Sequence, residues 1–341
     1  MSTFAAVVLF LGVVAYAVLG GADYGAGFWD LTAGGARRGR EPRHLIDETL
    51  APVWEANHVW LIFCLVMLWT GFPEAFAAIT TTLYVPLGLA ALGIVVRGSG
   101  FAFRKVVVRT DQQRVTGAAF ATSSVITPFF LGTVAGGIAS GRVPTGGSGD
   151  PVTSWVNPTS LLGGVLAVGV CAFVAAVFLT AEAWRRPVPA AELERRKIAD
   201  LGRWFRRRAQ LSALVTGAIA LAGIAILRAD SPRLFDGLVS RGLPFVLVSE
   251  VCGLAALILL GRAAPRVLQG LAVTAAGTVV VGWGVAQYPY VLGTHLTIAE
   301  AAAPPPTLWA LTIVAAVALA VVVPALGLLF SLQQRGQLES H

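Results

Sequence analysis

Residues 50–71 read Leu-Ala-Pro-Val-Trp-Glu-Ala-Asn-His-Val-Trp-Leu-Ile-Phe-Cys-Leu-Val-Met-Leu-Trp-Thr-Gly. From Val53 onward the run is apolar enough to enter a membrane, yet Glu55, Asn57 and His58 stand at its mouth. A carboxylate and an imidazole at the edge of hydrocarbon are costly and call for a reason. A second acid, Asp23, sits in Leu-Gly-Gly-Ala-Asp-Tyr-Gly-Ala-Gly at 19–27, near the end of the preceding apolar run. Runs of this kind decide the fold, and the acids within them carry the functional question.

Working outward, apolar segments of this length recur along the chain. A spanning helix needs about 20 residues, and nine segments qualify: 3–30, 53–71, 74–97, 116–139, 159–184, 209–228, 243–261, 266–288 and 307–331. They are too long and too uniformly apolar for barrel strands, and only a helix satisfies its backbone within one spanning segment. Of the 341 residues 56% are hydrophobic and 13% charged, against roughly 25% charged in soluble domains. The expected class is an all-α integral membrane protein of about nine transmembrane helices. Two four-helix bundles plus one additional helix is the plan this count suggests, in a single polytopic membrane domain over 1–341.

The net charge of +7 reflects basic loops between spans rather than a nucleic-acid surface, and no nucleic-acid partner is expected. Twenty-one of the 25 Lys and Arg residues follow odd-numbered spans, including Arg37, Arg38, Arg40 and Arg43 and the group from Arg185 to Arg208. Arg142, Arg228, Arg233 and Arg241 fall on the other side. The positive-inside bias then puts the N-terminus outside, the C-terminus in the cytoplasm, and the basic stretch 185–208 in a cytoplasmic loop read as a solvated helix. The N-terminal run lacks a basic leader and reads as a retained span. Cys64, Cys171 and Cys252 lie in separate apolar segments, a spacing that fits packing rather than disulfides or thiolate metal sites.

Asp23 falls towards the cytoplasmic end of the first span and Glu55 begins the second from the same side. Asp30, seven residues beyond Asp23, shares its helical face nearer water. Asp30, Asp23 and Glu55 thus form a candidate inward proton path, with Asn57 and His58 as hydrogen-bonding members. Partial burial raises a carboxylate's pKa towards neutrality, which suits proton carriage. The plainer reading of Asp23 and Glu55 is acids capping or pairing at helix ends, steadied by Arg37, Arg43 or a helix N-terminus. Glu55 and His58 make one Glu-x-x-His pair and Glu41 and His44 another, but a di-iron bundle also needs two further glutamates on facing helices, and Glu74, Glu182 and Glu250 fall on scattered segments. With only His44, His58, His295 and His341 available, the chain is poor in axial haem ligands. No catalytic, cofactor-binding or metal-binding residue is assigned.

Taken together, these stretches resemble subunit II of the cytochrome bd-type quinol oxidases. Residues 19–27 resemble that family's Asp-Gly-Phe-Asp-x-Gly-x-Gly. Ala-Pro-Val-Trp-Glu-Ala-Asn-His-Val-Trp-Leu at 51–61 resembles its Ala-Pro-x-Trp-Asp-Gly-Asn-Gln/Glu-Val-Trp-Leu. Val-Arg-Gly-Ser-Gly-Phe-Ala-Phe-Arg-Lys at 96–105, Asn-Pro-x-x-Leu-Leu-Gly-Gly at 157–164 and Tyr-Pro-Tyr-Val at 288–291 follow in order. The resemblance implies a heterodimer in a bacterial plasma membrane that oxidises quinol and reduces dioxygen to water. A haem-bearing subunit I would be the partner, with haem b and haem d-type groups there and none bound by this chain. Membrane lipid, a small accessory subunit and a quinone are further candidate partners. Asp23 and Glu55 match the family's channel acids. Gly20 and Ala102 stand where the family has acids, and His58 where it has Gln or Glu. A proton-coupled transporter and a purely structural membrane subunit are the rival readings. Transporter sites usually sit near the midplane, and these acids do not.

Overall fold

The computed structural model describes residues 1–35, 38–106, 110–186 and 191–334. Within these, the side chains at 50–56, 101, 103–106, 110–115, 323, 326 and 329–334 lie outside the description. In chain order the helices are α1 (Ser2–Leu31), α2 (Arg40–Gly71), α3 (Pro73–Thr82), α4 (Tyr84–Val106), α5 (Thr110–Ala139) and α6 (Pro158–Arg185). They continue as α7 (Glu192–Asp230), α8 (Pro232–Val239), α9 (Leu243–Leu259), α10 (Pro265–Gln287), α11 (Ile298–Ala301) and α12 (Pro305–Gln334). A small antiparallel pair, β1 (Tyr290–Leu292) and β2 (Leu296–Thr297), precedes α11.

Helix starts are written into the sequence. Pro73, Pro158, Pro232, Pro265 and Pro305 each open a helix, where a missing N–H costs nothing. Asn157 caps α6, its side chain accepting from the Ser160 amide at 2.9 Å, a preferred N-cap arrangement.

All nine expected segments fall on helix. The segment 74–97, however, is divided at Leu83 between α3 and α4, and α3 turns 115° away from Asn57–Gly71. Likewise α8 and α9 meet at 74°. Among the described residues six helices are long and apolar enough to cross a membrane, or up to eight if each bent pair counts as one span. The boundary between the segments 53–71 and 74–97 coincides with the turn at Phe72, whereas Leu83 sits inside an uncharged stretch that carries no comparable signal. The basic stretch after Arg185 is likewise no separate element at its end: from Glu192 it is the first part of the 39-residue α7, with Leu201 and Phe205 buried.

Close helix approach relies on absent side chains. A Cβ on Gly25 of α1 would lie 1.8 Å from the Cys171 carbonyl oxygen of α6, and one on Gly132 of α5 would lie 2.4 Å from the Gly163 oxygen of α6. Small residues at such crossings let backbones meet where lipid offers no hydrophobic drive. Trp29 then donates to the Ala172 carbonyl at 2.8 Å. The buried apolar residues gather at two ends. Trp29, Leu45, Ile46, Phe205, Leu260 and Leu268 belong to one cluster. Phe72, Leu83, Val143, Leu292 and Leu308 belong to the other.

Candidate functional site

Asp23 lies late in α1 and is almost completely buried, as are Asn57 of α2 and Arg97 of α4. Arg97 Nη2 donates to Asp23 Oδ1 at 2.5 Å and to the Asp23 backbone carbonyl at 2.9 Å. On the other side of the carboxylate, Asn57 Nδ2 donates to Asp23 Oδ2 at 3.3 Å and to the Leu19 carbonyl at 3.3 Å. Arg97 Nη1 completes its reach by donating to Ser124 Oγ of α5. One carboxylate is therefore held by donors from two helices, and its cationic partner is anchored on a fourth.

The surroundings of Arg97 are aromatic. Its guanidinium lies 4.3 Å from the Phe120 ring centre and 5.0 Å from that of Tyr24, distances at which a cation is attracted to a ring face. Gly27 makes room for it, since a Cβ there would lie 2.1 Å from Ser124 Oγ and 2.8 Å from Arg97 Nη1. Along α1 in the other direction, the hydroxyls of Tyr24 and Tyr16 are 3.1 Å apart. Both Asn57 Oδ1 and Arg97 Nε are buried without a hydrogen-bond partner, so this polar centre is incompletely satisfied.

The expected site residues separate into groups. Asp23 and Asn57 meet. Asp30 is buried rather than open to water, because Arg43 of α2 covers it, Nε donating to Asp30 Oδ1 at 2.7 Å and Nη2 to the Gly34 carbonyl at 2.6 Å. Arg43, named in the plainer reading as a partner for Asp23 or Glu55, pairs with Asp30 instead, while Asp23 pairs with Arg97. His58 is half-buried, next to Asn57 on α2. Consecutive residues do not face the same side of a helix. Glu55 falls within α2, and its side chain lies outside the described residues. Gly20, where an acid was expected from the resemblance, is buried, and a Cβ there would face the Tyr16 and Tyr24 rings at 3.6 Å.

Arg97, Ser124, Tyr16 and Tyr24 were not among the expected site residues. Arg97 was counted with the basic residues flanking the third segment, whereas it is 2% exposed inside the bundle. A signal existed: it follows Gly-Ile-Val-Val with no other charge between Glu74 and Arg97, and an arginine within apolar sequence calls for an acidic partner.

Across residues 1–333 the chain matches the family model described as cytochrome bd terminal oxidase subunit II. The chain belongs to that family. Similar proteins include the Bacillus subtilis cytochrome bd ubiquinol oxidase subunit 2, 26% identical over 228 residues, covering 65% of this chain and 61% of the relative. Another is the Escherichia coli cytochrome bd-I ubiquinol oxidase subunit 2, 28% identical over 231 residues, covering 64% of this chain and 56% of the relative. The matched part therefore spans less than two thirds of these relatives' length. The fold resembles the bd oxidase structure from Geobacillus thermodenitrificans with a TM-score of 0.76 and 25% identity, over 97% of this chain and 98% of that one. As a bd subunit II member, the chain is a multi-span membrane protein whose buried acid–arginine centre joins α1, α2, α4 and α5.

Proposed function

We propose that this chain is the haem-free subunit of a bd-type terminal oxidase that couples quinol oxidation to reduction of dioxygen to water. Its contribution is a proton-uptake path from the cytoplasm and a platform for a haem-bearing subunit I. In this reading it lies in a bacterial plasma membrane with the N-terminus outside and the C-terminus in the cytoplasm. It forms one polytopic domain and binds no haem itself, while haem b and haem d-type groups reside in the partner. Family membership supports the assignment, as do relatives named as ubiquinol oxidase subunits.

The observation that carries the proton role is the Asp23 carboxylate, buried yet gripped by Arg97 and Asn57 from two other helices. A buried carboxylate in a membrane is retained where charge or protons are handled. Asp30 lies seven residues, about two helical turns, along the same helix, with Glu55 on the neighbouring one. Arg97 is paired with Asp23, so a proton passing this point must loosen that ion pair or travel beside it through Asn57, Tyr24 and Tyr16. Asp30 and His58 would then help carry protons between Asp23 and the water-facing end.

The Arg97 ion pair also favours a second reading, a subunit whose polar centre only staples helices together. The two are separable. Glu55→Gln, measured in the assembled complex, is expected to slow oxygen consumption per haem while the reduced haem spectrum stays unchanged. Loss of activity that tracks loss of assembled complex supports the staple instead. Absence of any haem-bearing chain from the purified complex would remove the assignment to an oxidase.

A further inference from the structure

Helix α9 carries an acidic residue that the proposed proton path does not use. Glu250 is the eighth of its 17 residues, midway along the helix, and it is exposed. Its neighbours on the outer face are apolar and exposed as well: Leu247 at 51%, Val251 at 65% and Leu254 at 57%. The opposite side of the helix is occupied, since Ser249 is buried and donates to the Ala275 carbonyl of α10 at 2.8 Å.

Among the described residues Glu250 has no ion pair and no hydrogen bond. The basic residues flanking α9 are Arg241 and Arg262. At 1.5 Å per residue they lie at least about 13 Å away along the axis, beyond the reach of an ion pair. Glu250 stands midway along α9, which together with α8 forms a bent pair apolar enough to cross a membrane. A carboxylate facing hydrocarbon at mid-depth is costly, and such residues nearly always face protein or a polar cavity.

We infer that the outer face of α9 docks a membrane helix of a different polypeptide, one that sets a basic side chain against Glu250. The charge selects the partner. A second copy of this chain meeting the same face would bring two carboxylates together, and like charges disfavour each other's ionised form. The apolar residues at 247, 251 and 254 supply the helix-spaced packing stripe for such a contact. This inference rests on the reading of the chain as one subunit of a multi-chain membrane complex.

The test is a photo-crosslinking amino acid placed at Leu254, and separately at Val251, in the full chain within its native membrane. The expected result is an adduct with a different protein, weakened several-fold by Glu250→Leu and less by Glu250→Gln. Adducts with lipid alone, or with a second copy of this chain, overturn the inference. Both crosslinking positions are exposed, and each is read with Glu250 in place, so the outcome does not depend on Glu250→Leu assembling. The haem spectrum of the purified complex is read alongside. A haem-bearing complex with lipid-only adducts defeats the inference and leaves the oxidase reading standing. A protein adduct without haem does the reverse.

Discussion

Two ion-pair clasps sit at opposite ends of the bundle and are built differently. The inner one joins Asp23 and Arg97, with side chains 4% and 2% exposed. The outer one joins Asp230, at the end of α7, to Arg142 after α5, with side chains 14% and 32% exposed. Asp230 accepts from both Arg142 nitrogens, at 2.6 and 3.1 Å, and from the Thr159 amide and hydroxyl, at 3.1 and 2.6 Å. Its carboxylate is fully used and tied to the first turn of α6. Around the inner clasp Arg97 Nε and Asn57 Oδ1 go unpaired. A saturated polar network rigidifies, whereas an unsaturated one in low dielectric is expensive and persists where something else is gained. The outer clasp thus has the makeup of a structural fastening, whereas the inner one leaves polar atoms unpaired, as the proton role proposed for it would use.

Breaking each clasp sharpens the contrast. The largest effect is expected from Arg97→Met, which strands Asp23 as a buried unpaired charge, a loss of about 3–5 kcal/mol. Thermal unfolding of the assembled complex reads it, and Asp23→Leu added to Arg97→Met should restore much of the loss. If Arg97→Met alone left stability unchanged, the inner pair would not be the buried charge centre described here. Next, Gly27→Ala forces a methyl against Ser124 and Arg97, an overpacking cost of about 1–3 kcal/mol. Gly253→Ala, with nothing within 4 Å of the new methyl, is the matched control and should be neutral. The outer clasp is expected to yield less: Arg142→Ala removes charged hydrogen bonds from a site already touching water, costing about 1–2 kcal/mol. An Arg142→Ala loss equal to that of Arg97→Met would erase the distinction between the two ends.

The smallest effect is a pH dependence in the loop before α12. Glu300 accepts from the amide and hydroxyl of Thr297 in a capping box. The Thr297 amide, and after it the hydroxyl, hold the Glu300 carboxyl below its ordinary 4.5. Because the folded value is depressed, the contribution is complete above the unfolded value and fades as pH falls through the lowered one. Amide protection at residues 297–301, taken relative to the intrinsic exchange rate at each pH, should therefore fall in acid, and Glu300→Gln should flatten that dependence.

Much of this architecture is legible in the sequence because a bilayer demands about 20 apolar residues per span. The starting prolines and the Asn157 cap mark several helix ends directly. The end of a segment before Pro73 is legible, but the size of the turn at Phe72 and the break at Leu83 are not, since no charged residue stands between Glu74 and Arg97 to mark a bend. At the site, Asp23 and Asn57 could be singled out as polar residues in apolar runs. Their meeting with Arg97 could not, because it depends on how α4 packs against α1 some 74 residues away in sequence. Asp30 was placed correctly along α1 but not in its surroundings: the chain returns through Arg43 to cover it, with Gly39 leaving space for the guanidinium.

In the proposed function Asp23 handles protons rather than only fastening helices, and Asp23→Asn separates the two roles. The variant keeps the size of the side chain and an oxygen to accept from Arg97 or Asn57. Oxygen consumption per haem, measured on purified complex with an unchanged reduced haem spectrum, is predicted to fall at least several-fold. Turnover per haem equal to that of the unmodified complex would contradict the account.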